Sequence, residues 1–357
     1  MNRLIAVEDW VGETRAAIVE NGRVVELHFN RWSERGTRAH GAELYAGRIT
    51  RIDGSLNAAF VDLGRGEPGF LPFGKAGRAK GLHDGALIGV RVTREAFAEK
   101  GPTLALADLD ELPGAPELIE TDANLAERLL RRYPDADVKW ADEARIDIEA
   151  AIEAAQSIDV PLKGGGALRI EATAALTAID IDSAGRTSNA GRKLALDVNL
   201  AAMPEIARQI RLRGIGGNIV IDCLHLRSQP DRKAVEGALK KALKPDPARI
   251  DVLPLSRFGL IEMARQRTGR SVAEVLTDGA GTPSIETRAL TALRRLLLEA
   301  VANRSAQLNL AVSPALHDWL EPDRIDWRGA MTDRIGPRFT LTAATGEHRK
   351  DFEVTTT

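Results

Sequence analysis

The chain has 357 residues and a mass of 38.6 kDa, too long for one ordinary core, so two or three domains are expected. Hydrophobic residues at 44% and charged residues at 28% exclude a collagenous or wholly disordered chain. The single cysteine, Cys223, excludes an intramolecular disulfide and a cysteine-ligated zinc site within one chain. The formal charge of -2 hides an asymmetry: residues 108–153 carry 14 acids and 5 bases, whereas residues 186–233 carry 9 bases and 4 acids, a local positive field suited to phosphates. No apolar run reaches the length of a membrane span, and the first thirty residues hold no apolar leader segment, so the cytoplasm is the expected location.

In chain order, residues 14–20 and 23–29 alternate around Asn21-Gly22 and predict a hairpin. A polar linker follows at residues 31–41. Five short strands, at residues 43–52, 55–63, 66–72, 86–93 and 103–107, then predict a small closed barrel of the OB type. The acidic stretch has helical periodicity at residues 122–132 and 143–157, broken at Tyr133-Pro134. From Ile158 the pattern is strand, Gly164 to Gly166 turn, strand, and a third strand over residues 176–182. A long helix over residues 192–213, which Pro204 is expected to kink or split, stops at Gly214 and leads to an apolar strand at residues 218–224. Such a crossover makes the strands ending near Asp182 and Asp222 parallel neighbours. Further elements fall at residues 232–243, 250–253 and 260–267, then a helix over 284–301 capped by Ser284, and a small mixed unit closes the chain.

Residues two apart on a strand share a face, so Asp180 and Asp182 point the same way, and a parallel neighbour brings Asp222 to the same carboxyl edge. That edge is where α/β sheets hold ligands. Three carboxylates converging there form a hard-oxygen site for Mg²⁺ or Mn²⁺, and such an ion beside a basic helix fits phosphodiester hydrolysis. The residues alone leave a second reading open, in which these acids cap strand ends or pair with Arg186 and Arg213. The six histidines show no ligand spacing, although His225 lies near Asp222. Cys223 reads as a small buried hydrophobe. In the barrel, Asp62 shares a face with Phe60, which places Phe60 on the solvent side; Phe70 follows, with Arg48, Arg51, Arg94 and Lys100 nearby. OB folds hold single strands with aromatic faces and cations of this kind; packing against another domain is the alternative for the two phenylalanines.

With these residues in hand the chain resembles the ribonuclease E/G family. The likeness is carried by Ala175-Leu176-Thr177-Ala178-Ile179-Asp180-Ile181, by Asn199-Leu200, by the run from Glu205 to Arg213, by Gly216-Gly217-Asn218-Ile219-Val220-Ile221-Asp222, and by the run Ser256-Arg257-Phe258-Gly259 through Arg267. A second match, Tyr45-Ala46-Gly47-Arg48-Ile49-Thr50-Arg51-Ile52 with Ala58-Ala59-Phe60-Val61-Asp62 and Gly69-Phe70-Leu71-Pro72, looks like the family's S1 RNA-binding domain. The resemblance implies that Asp180 and Asp222 ligate a catalytic Mg²⁺ and that Asp182 lies at the position of a supporting asparagine. It puts Phe60 and Phe70 on the RNA-stacking aromatics, Lys100 on a basic RNA contact, and Arg94 where the family often has lysine.

Two departures stand out. The fifty or so residues between barrel and catalytic strands are too few for the family's 5′-monophosphate sensor, and the zinc-binding cysteine pair that links two subunits falls near residues 277–282, where Thr-Asp-Gly-Ala-Gly-Thr stands instead.

The resulting expectation is an α/β (α+β multidomain) protein. It has an N-terminal hairpin (1–35), an S1/OB-type barrel (36–110), an acidic helical connector (111–157), a mixed α/β catalytic domain (158–283) and a small C-terminal α+β domain (284–357). The expected function is a cytoplasmic, Mg²⁺-dependent endoribonuclease acting on single-stranded RNA in RNA processing or decay, as a homodimer without a zinc link. The alternatives are a catalytically weak or inactive RNA-binding protein in ribosome maturation, and a DNA-directed nuclease. Arginines at 208–213 are expected to face phosphates or to form a solvated helix face, the commoner use.

Overall fold

The computed structural model describes residues 2–74, 77, 81–97, 100–121, 124–183, 191–344 and 351–356. Arg186 and the expected helix start at Asp122 lie outside them. The chain opens with β1 (Arg3–Trp10), β2 (Glu13–Glu20) and β3 (Arg23–Arg31), an antiparallel meander. Its second turn holds Asn21 and Gly22, both at positive φ, 51° and 76°, the conformation a two-residue hairpin turn demands.

The barrel follows as β4 (Leu44–Asp53), β5 (Ala58–Asp62), β6 (Gly69–Pro72), β7 (Leu87–Arg94) and β8 (Thr103–Leu106), in the order β5-β6-β8-β7-β4 and closed by pairing of β5 with β4. Tyr45, Ile49, Val61, Leu71, Val90 and Leu104 fill it. A short strand absent from the expectation, β9 (Glu117–Glu120), pairs with β4 outside the closed ring.

The acidic stretch differs from a free-standing connector. Helix α1 (Leu125–Arg132), capped by Asn124, covers one face of the N-terminal sheet, packing Leu125, Leu129 and Tyr133 on Ile5, Val7 and Ile18. Strand β10 (Asp137–Trp140) pairs in parallel with β1, and α2 (Ile148–Gln156), capped by Asp147, packs Ile148 and Ile152 on the other face against Ala6, Ala17 and Leu27. Residues more than a hundred positions apart thus share one two-sided sheet.

The next sheet contains β11 (Asp159–Pro161), β12 (Ala167–Ala172), β13 (Thr177–Asp182), β14 (Gly217–Asp222), β15 (Ile250–Val252) and β16 (Leu260–Arg265), in the order β11-β12-β13-β14-β16-β15. Between β13 and β14 runs α3 (Gly191–Leu212), and the two strands are parallel, as the crossover predicts. Pro204 lies inside α3 without splitting it, because the flanking Met203, Ile206 and Ala207 are locked in the core. Together with α4 (Gln229–Leu243), capped by Ser228, α3 covers one face of the sheet and buries Ile179, Ile181, Ile219, Ile221 and Ile261. Each such side chain contributes about 1.5–3 kcal/mol of transfer free energy.

A short helix α5 (Val272–Leu276) with a complete Ser271/Glu274 capping box precedes α6 (Ile285–Ala302), whose N-cap is Ser284. The chain ends with β17 (Leu308–Val312), α7 (Pro314–Leu320), α8 (Trp327–Ile335), β18 (Phe339–Ala343) and β19 (Phe352–Thr356), a three-stranded sheet in the order β18-β17-β19 packed on α6 around Trp327. Among the described residues no helix is long and apolar enough to cross a membrane.

Candidate active site and nucleic-acid surface

Strand β13 alternates strictly: Thr177, Ile179 and Ile181 are buried, and Asp180 and Asp182 are exposed on the face opposite α3 and α4. Because α3 returns the chain to a parallel neighbour, Asp180 and Asp222 are direct register partners, on strands about 4.8 Å apart. Arg169 of β12 sits opposite Asp180, and Leu260 of β16 opposite Asp222, so one row across the sheet reads Arg169, Asp180, Asp222, Leu260. Partial burial and the negative charges of Asp222 and Asp182 raise the Asp180 pKa above the usual aspartate range, with Arg169 opposing weakly. Sequence reasoning missed Arg169; the hairpin register of β12 on β13 is the signal that would have found it. It is also tied to Asp159 at 3.1 Å and Glu171 at 3.4 Å.

The edge after β14 is fixed from behind. Asn199, fully buried on α3, donates from Nδ2 to the Leu224 carbonyl at 2.8 Å and accepts from the Leu224 amide at 3.0 Å. The side chain thereby continues the ladder where the strand ends, one turn of chain beyond Asp222. Cys223 is buried, and burial pushes its thiol up to about 12. His225 is exposed and makes no hydrogen bond or ion pair among the described residues.

The three carboxylates do not form a closed cage. Asp182 lies opposite Ala167, beyond the last β13–β14 register pair, and among the described residues no group of three or more His, Cys, Asp or Glu side chains is arranged to hold a metal ion. The donor set nevertheless suits one class of cation. Magnesium keeps several waters and is commonly held by one or two carboxylates with substrate phosphates completing its shell, and an exposed like-charged pair offers such a partial shell.

Arg208 and Arg211 of α3 and Arg213 just after it neither line the acidic edge nor form a solvated face. Arg211 is bound to Glu20 and Glu26 at 2.8–3.2 Å, Arg208 to Glu205 and the Val24 carbonyl, and Arg213 to Gln209 and the Ser157 carbonyl. Arg208 and Arg211 rivet the helix to the N-terminal sheet and Arg213 ties its end to the close of α2, which corrects both the phosphate-facing reading and the pairing of Arg213 with the aspartates. Lost hydration and the neighbouring charge of Arg208, opposed by Glu205, bring Arg213 down to about 10.

On the barrel, Phe60 and Phe70 are cross-strand partners with ring centroids 5.9 Å apart at 69°, both partly exposed, and the Arg51 guanidinium lies 4.5 Å from the Phe60 ring. Arg48 is pinned to the carbonyls of Gly85 and Gly114. Arg94 and Lys100 surround a residue the sequence reading passed over, the buried Phe97, at 4.8 and 5.9 Å; Arg267, from the loop after β16, reaches the same ring at 5.5 Å. The Arg94 Nε is buried without a hydrogen-bond partner. The Phe70 amide donates to the Pro102 carbonyl at 2.7 Å, so the Phe60–Phe70 pair and the Phe97 cluster adjoin. Where the resemblance puts paired cysteines, the chain closes on itself: Asp278 accepts from the Ala280 and Thr282 amides and from the Thr282 hydroxyl at 2.6–3.1 Å.

Fold and site define a multidomain α/β protein that couples a closed OB-type barrel, with aromatic and cationic residues on its surface, to a sheet with an acidic carboxyl edge. A sequence profile described as the Ribonuclease E/G family matches residues 76–268, more than half of the chain, which therefore belongs to that family. Among similar proteins, ribonuclease E of Escherichia coli (strain K12) is 28% identical over 90% of this chain and 42% of its own length. Ribonuclease G of Haemophilus influenzae is 24% identical over 86% of this chain and 90% of its own. A chloroplastic ribonuclease E/G-like protein of Arabidopsis thaliana reaches 41% identity over 37% of the chain. The chain spans less than half the length of the E. coli relative, and that alignment runs over 454 positions, so the relative carries segments within the matched span that this 357-residue chain lacks.

Proposed function

We propose that this chain is a Mg²⁺-dependent endoribonuclease that cleaves single-stranded RNA in RNA processing or decay, in the cytoplasm. One observation carries the reading: Asp180 and Asp222 stand side by side as register partners at an open sheet edge, and partial burial together with the charges of Asp222 and Asp182 raises the Asp180 pKa against the weaker pull of Arg169. Like charges gathered on a surface cost stability, and a divalent cation relieves them. When bound, such an ion supplies an activated water and neutralises charge on the phosphate under attack. The protein's own part is to hold Asp180 and Asp222 in register, to fix the loop after Asp222 through Asn199, and to orient the strand on Phe60, Phe70, Arg94 and Lys100. Asp182 adds negative potential beside the pair.

The test is incubation of purified protein with an A/U-rich single-stranded RNA in Mg²⁺, beside Asp222→Asn and EDTA. Endonucleolytic products carrying 5′-phosphates that vanish in both controls are expected. RNA bound but never cut would overturn the reading in favour of an RNA-binding protein without catalysis. That second reading has one observation on its side, the lack of a three-donor metal cluster among the described residues.

A further inference from the structure

The turn that joins β15 to β16 presents an aromatic ring where burial would be cheaper. Phe258 is 86% exposed, the most exposed of the large hydrophobic residues, and leaving such a side chain in water forgoes about 1.5–3 kcal/mol. Single exposed apolar residues are common on surfaces, so exposure by itself assigns nothing; rigidity and location do.

The backbone on both sides of Arg257 and Phe258 is held by hydrogen bonds. The Gly259 amide donates to the Ser256 carbonyl at 3.2 Å, which makes Arg257 and Phe258 the central residues of a four-residue turn. The Ser256 amide donates to the Leu260 carbonyl at 2.9 Å, and the Leu260 amide to Ser256 Oγ at 3.1 Å. Behind it, Glu236 of α4 accepts from the Leu255 amide at 3.0 Å. Gly259 has φ +91°, a conformation that side chains disfavour, and a Cβ there would stand 3.2 Å from the Cys223 carbonyl. The turn is therefore fixed with the Phe258 ring directed off the sheet.

Its location is set by one further bond. The Cys223 amide donates to the Gly259 carbonyl at 3.0 Å, immediately after Asp222, and Asp222 is the register partner of Leu260. Arg257 and Phe258 thus project from the same carboxyl edge as the acidic pair. Arg257 is exposed and makes no hydrogen bond or ion pair among the described residues, so its charge is available to an anion. A fixed aromatic face beside an unpaired guanidinium is the chemistry that takes a nucleobase by stacking and its phosphate by charge. An acidic edge repels a polyanion, and a cation placed within the same turn offsets that repulsion.

We propose that Arg257 and Phe258 form a nucleobase-binding subsite at the acidic edge, with Phe258 stacking an unpaired base next to the phosphate to be cleaved and Arg257 holding the adjoining phosphate. This rests on the endoribonuclease reading for its role in cleavage. It is distinct from the barrel pair Phe60 and Phe70, and it fixes which bond of a bound strand reaches Asp180 and Asp222.

The experiment uses the full chain and a single-stranded RNA substituted with 5-iodouridine at successive positions, irradiated in EDTA so that no cleavage occurs. A photocrosslink to Phe258 is expected at one nucleotide position, a fixed step from the bond that Mg²⁺-loaded enzyme cuts. Phe258→Ala is expected to lower kcat/KM roughly 10-fold, the scale of one lost base stack, to leave the melting temperature unchanged, and to spread cleavage over neighbouring bonds. Phe258→Trp is expected to restore both rate and register. A Phe258→Ala enzyme that cuts at the same bonds and rate as wild type, with crosslinks confined to the barrel, overturns the subsite while the nuclease reading stands. If wild type cuts nothing, the nuclease reading fails, and the crosslink in EDTA still decides whether a base sits on Phe258. A change from dimer to monomer on Phe258→Ala, seen by sedimentation, would assign the ring to a subunit interface and overturn the proposal.

Discussion

Two groups of carboxylates in this protein have opposite surroundings. Glu13, 2% exposed at the start of β2, is gripped by three guanidinium groups: Arg31 at 2.9 Å, Arg15 at 2.9 Å and Arg294 at 3.3 Å. Burial alone would raise its pKa, but the charges of Arg31, Arg15 and Arg294 hold it below the usual range. Glu26 is similar, buried against His28, Arg132, Arg211 and the Tyr133 hydroxyl, and it is held far down. Asp180 lies at the surface, and partial burial together with the charges of Asp222 and Asp182 pushes it up. The first arrangement ties α6 and α3 to the N-terminal sheet. The second leaves a negative field that Arg169, across the sheet, offsets only in part. A carboxylate that is buried and paired is one the fold uses; one that is exposed among its own kind points to a ligand.

The sharpest way to break this contrast is to remove the charge from each side. Glu13→Ala leaves three guanidinium groups around an empty buried position and should cost about 3–5 kcal/mol, the scale for breaking a buried ion pair; urea unfolding that moved by less than about 1 kcal/mol would remove Glu13 from its structural role. Asp222→Asn should do the reverse. Cleavage falls by more than about 100-fold, beyond what is typical for groups that only support a metal ligand, while stability in EDTA is unchanged or rises by about 0.5 kcal/mol or less, because the carboxylates are exposed and screened. Adding Mg²⁺ should then raise the melting temperature of wild type but not of Asp222→Asn. A variant that lost activity and melted several degrees lower would put Asp222 among the structural acids instead.

Asn199→Ala lies between these cases. It leaves the Leu224 amide and carbonyl without their side-chain partners at a buried position, a loss of about 1–3 kcal/mol, and it should lower cleavage about 10–100-fold by loosening the edge after Asp222. Asn199→Asp distinguishes the two effects, since an ionised carboxylate accepts from the amide but donates nothing to the carbonyl. A full loss of stability with unchanged turnover would detach the clamp from the site. Phe60→Ala should weaken binding of single-stranded RNA by about 1–3 kcal/mol, the range for one stacked base, with little change in melting temperature, measured by fluorescence anisotropy in EDTA.

Local chemistry made much of this legible in the sequence. Asn21-Gly22 fixes a hairpin turn, alternation fixes the barrel strands, and a glycine stop after a long helix fixes the crossover that sets Asp180 beside Asp222. What was not legible depends on distance along the chain. Strand β10 has four residues, too few for a period to show, and its partner β1 lies more than a hundred positions away. Arg208, Arg211 and Arg213 look alike in the sequence, and only the packing of β2 and β3 against α3 shows that the partners of Arg211 are Glu20 and Glu26 rather than phosphate. Phe97 lies in a stretch with no alternation, and one of its three cations, Arg267, comes from the loop after β16, far along the chain. Asp182 was expected to converge with Asp180 and Asp222 because i and i+2 share a face; it shares the exposed face of Asp180 and lies beyond the last β13–β14 register pair, Asp180 and Asp222.

The smallest effect separates the two kinds of carboxylate by pH. Glu13 and Glu26 have depressed native pKa values, so near pH 4 the unfolded chain binds protons that the native state does not. Their contribution is complete above about 4.3 and is lost as pH falls through the native values. Asp180 is raised, so its contribution has the opposite sign: it favours the native state below the unfolded value of about 3.9 and is lost as pH rises through the native one. Acid unfolding should therefore be steep and governed by the buried pair, with Glu26→Gln shallower in slope than wild type. In Asp222→Asn the acid limb should keep its slope, and the only change should be a slight gain in stability in EDTA once pH has risen past the native titration of Asp180, where one of the two charges that repel it has gone. An acid limb that flattened in Asp222→Asn and stayed steep in Glu26→Gln would reverse the assignment of the two groups.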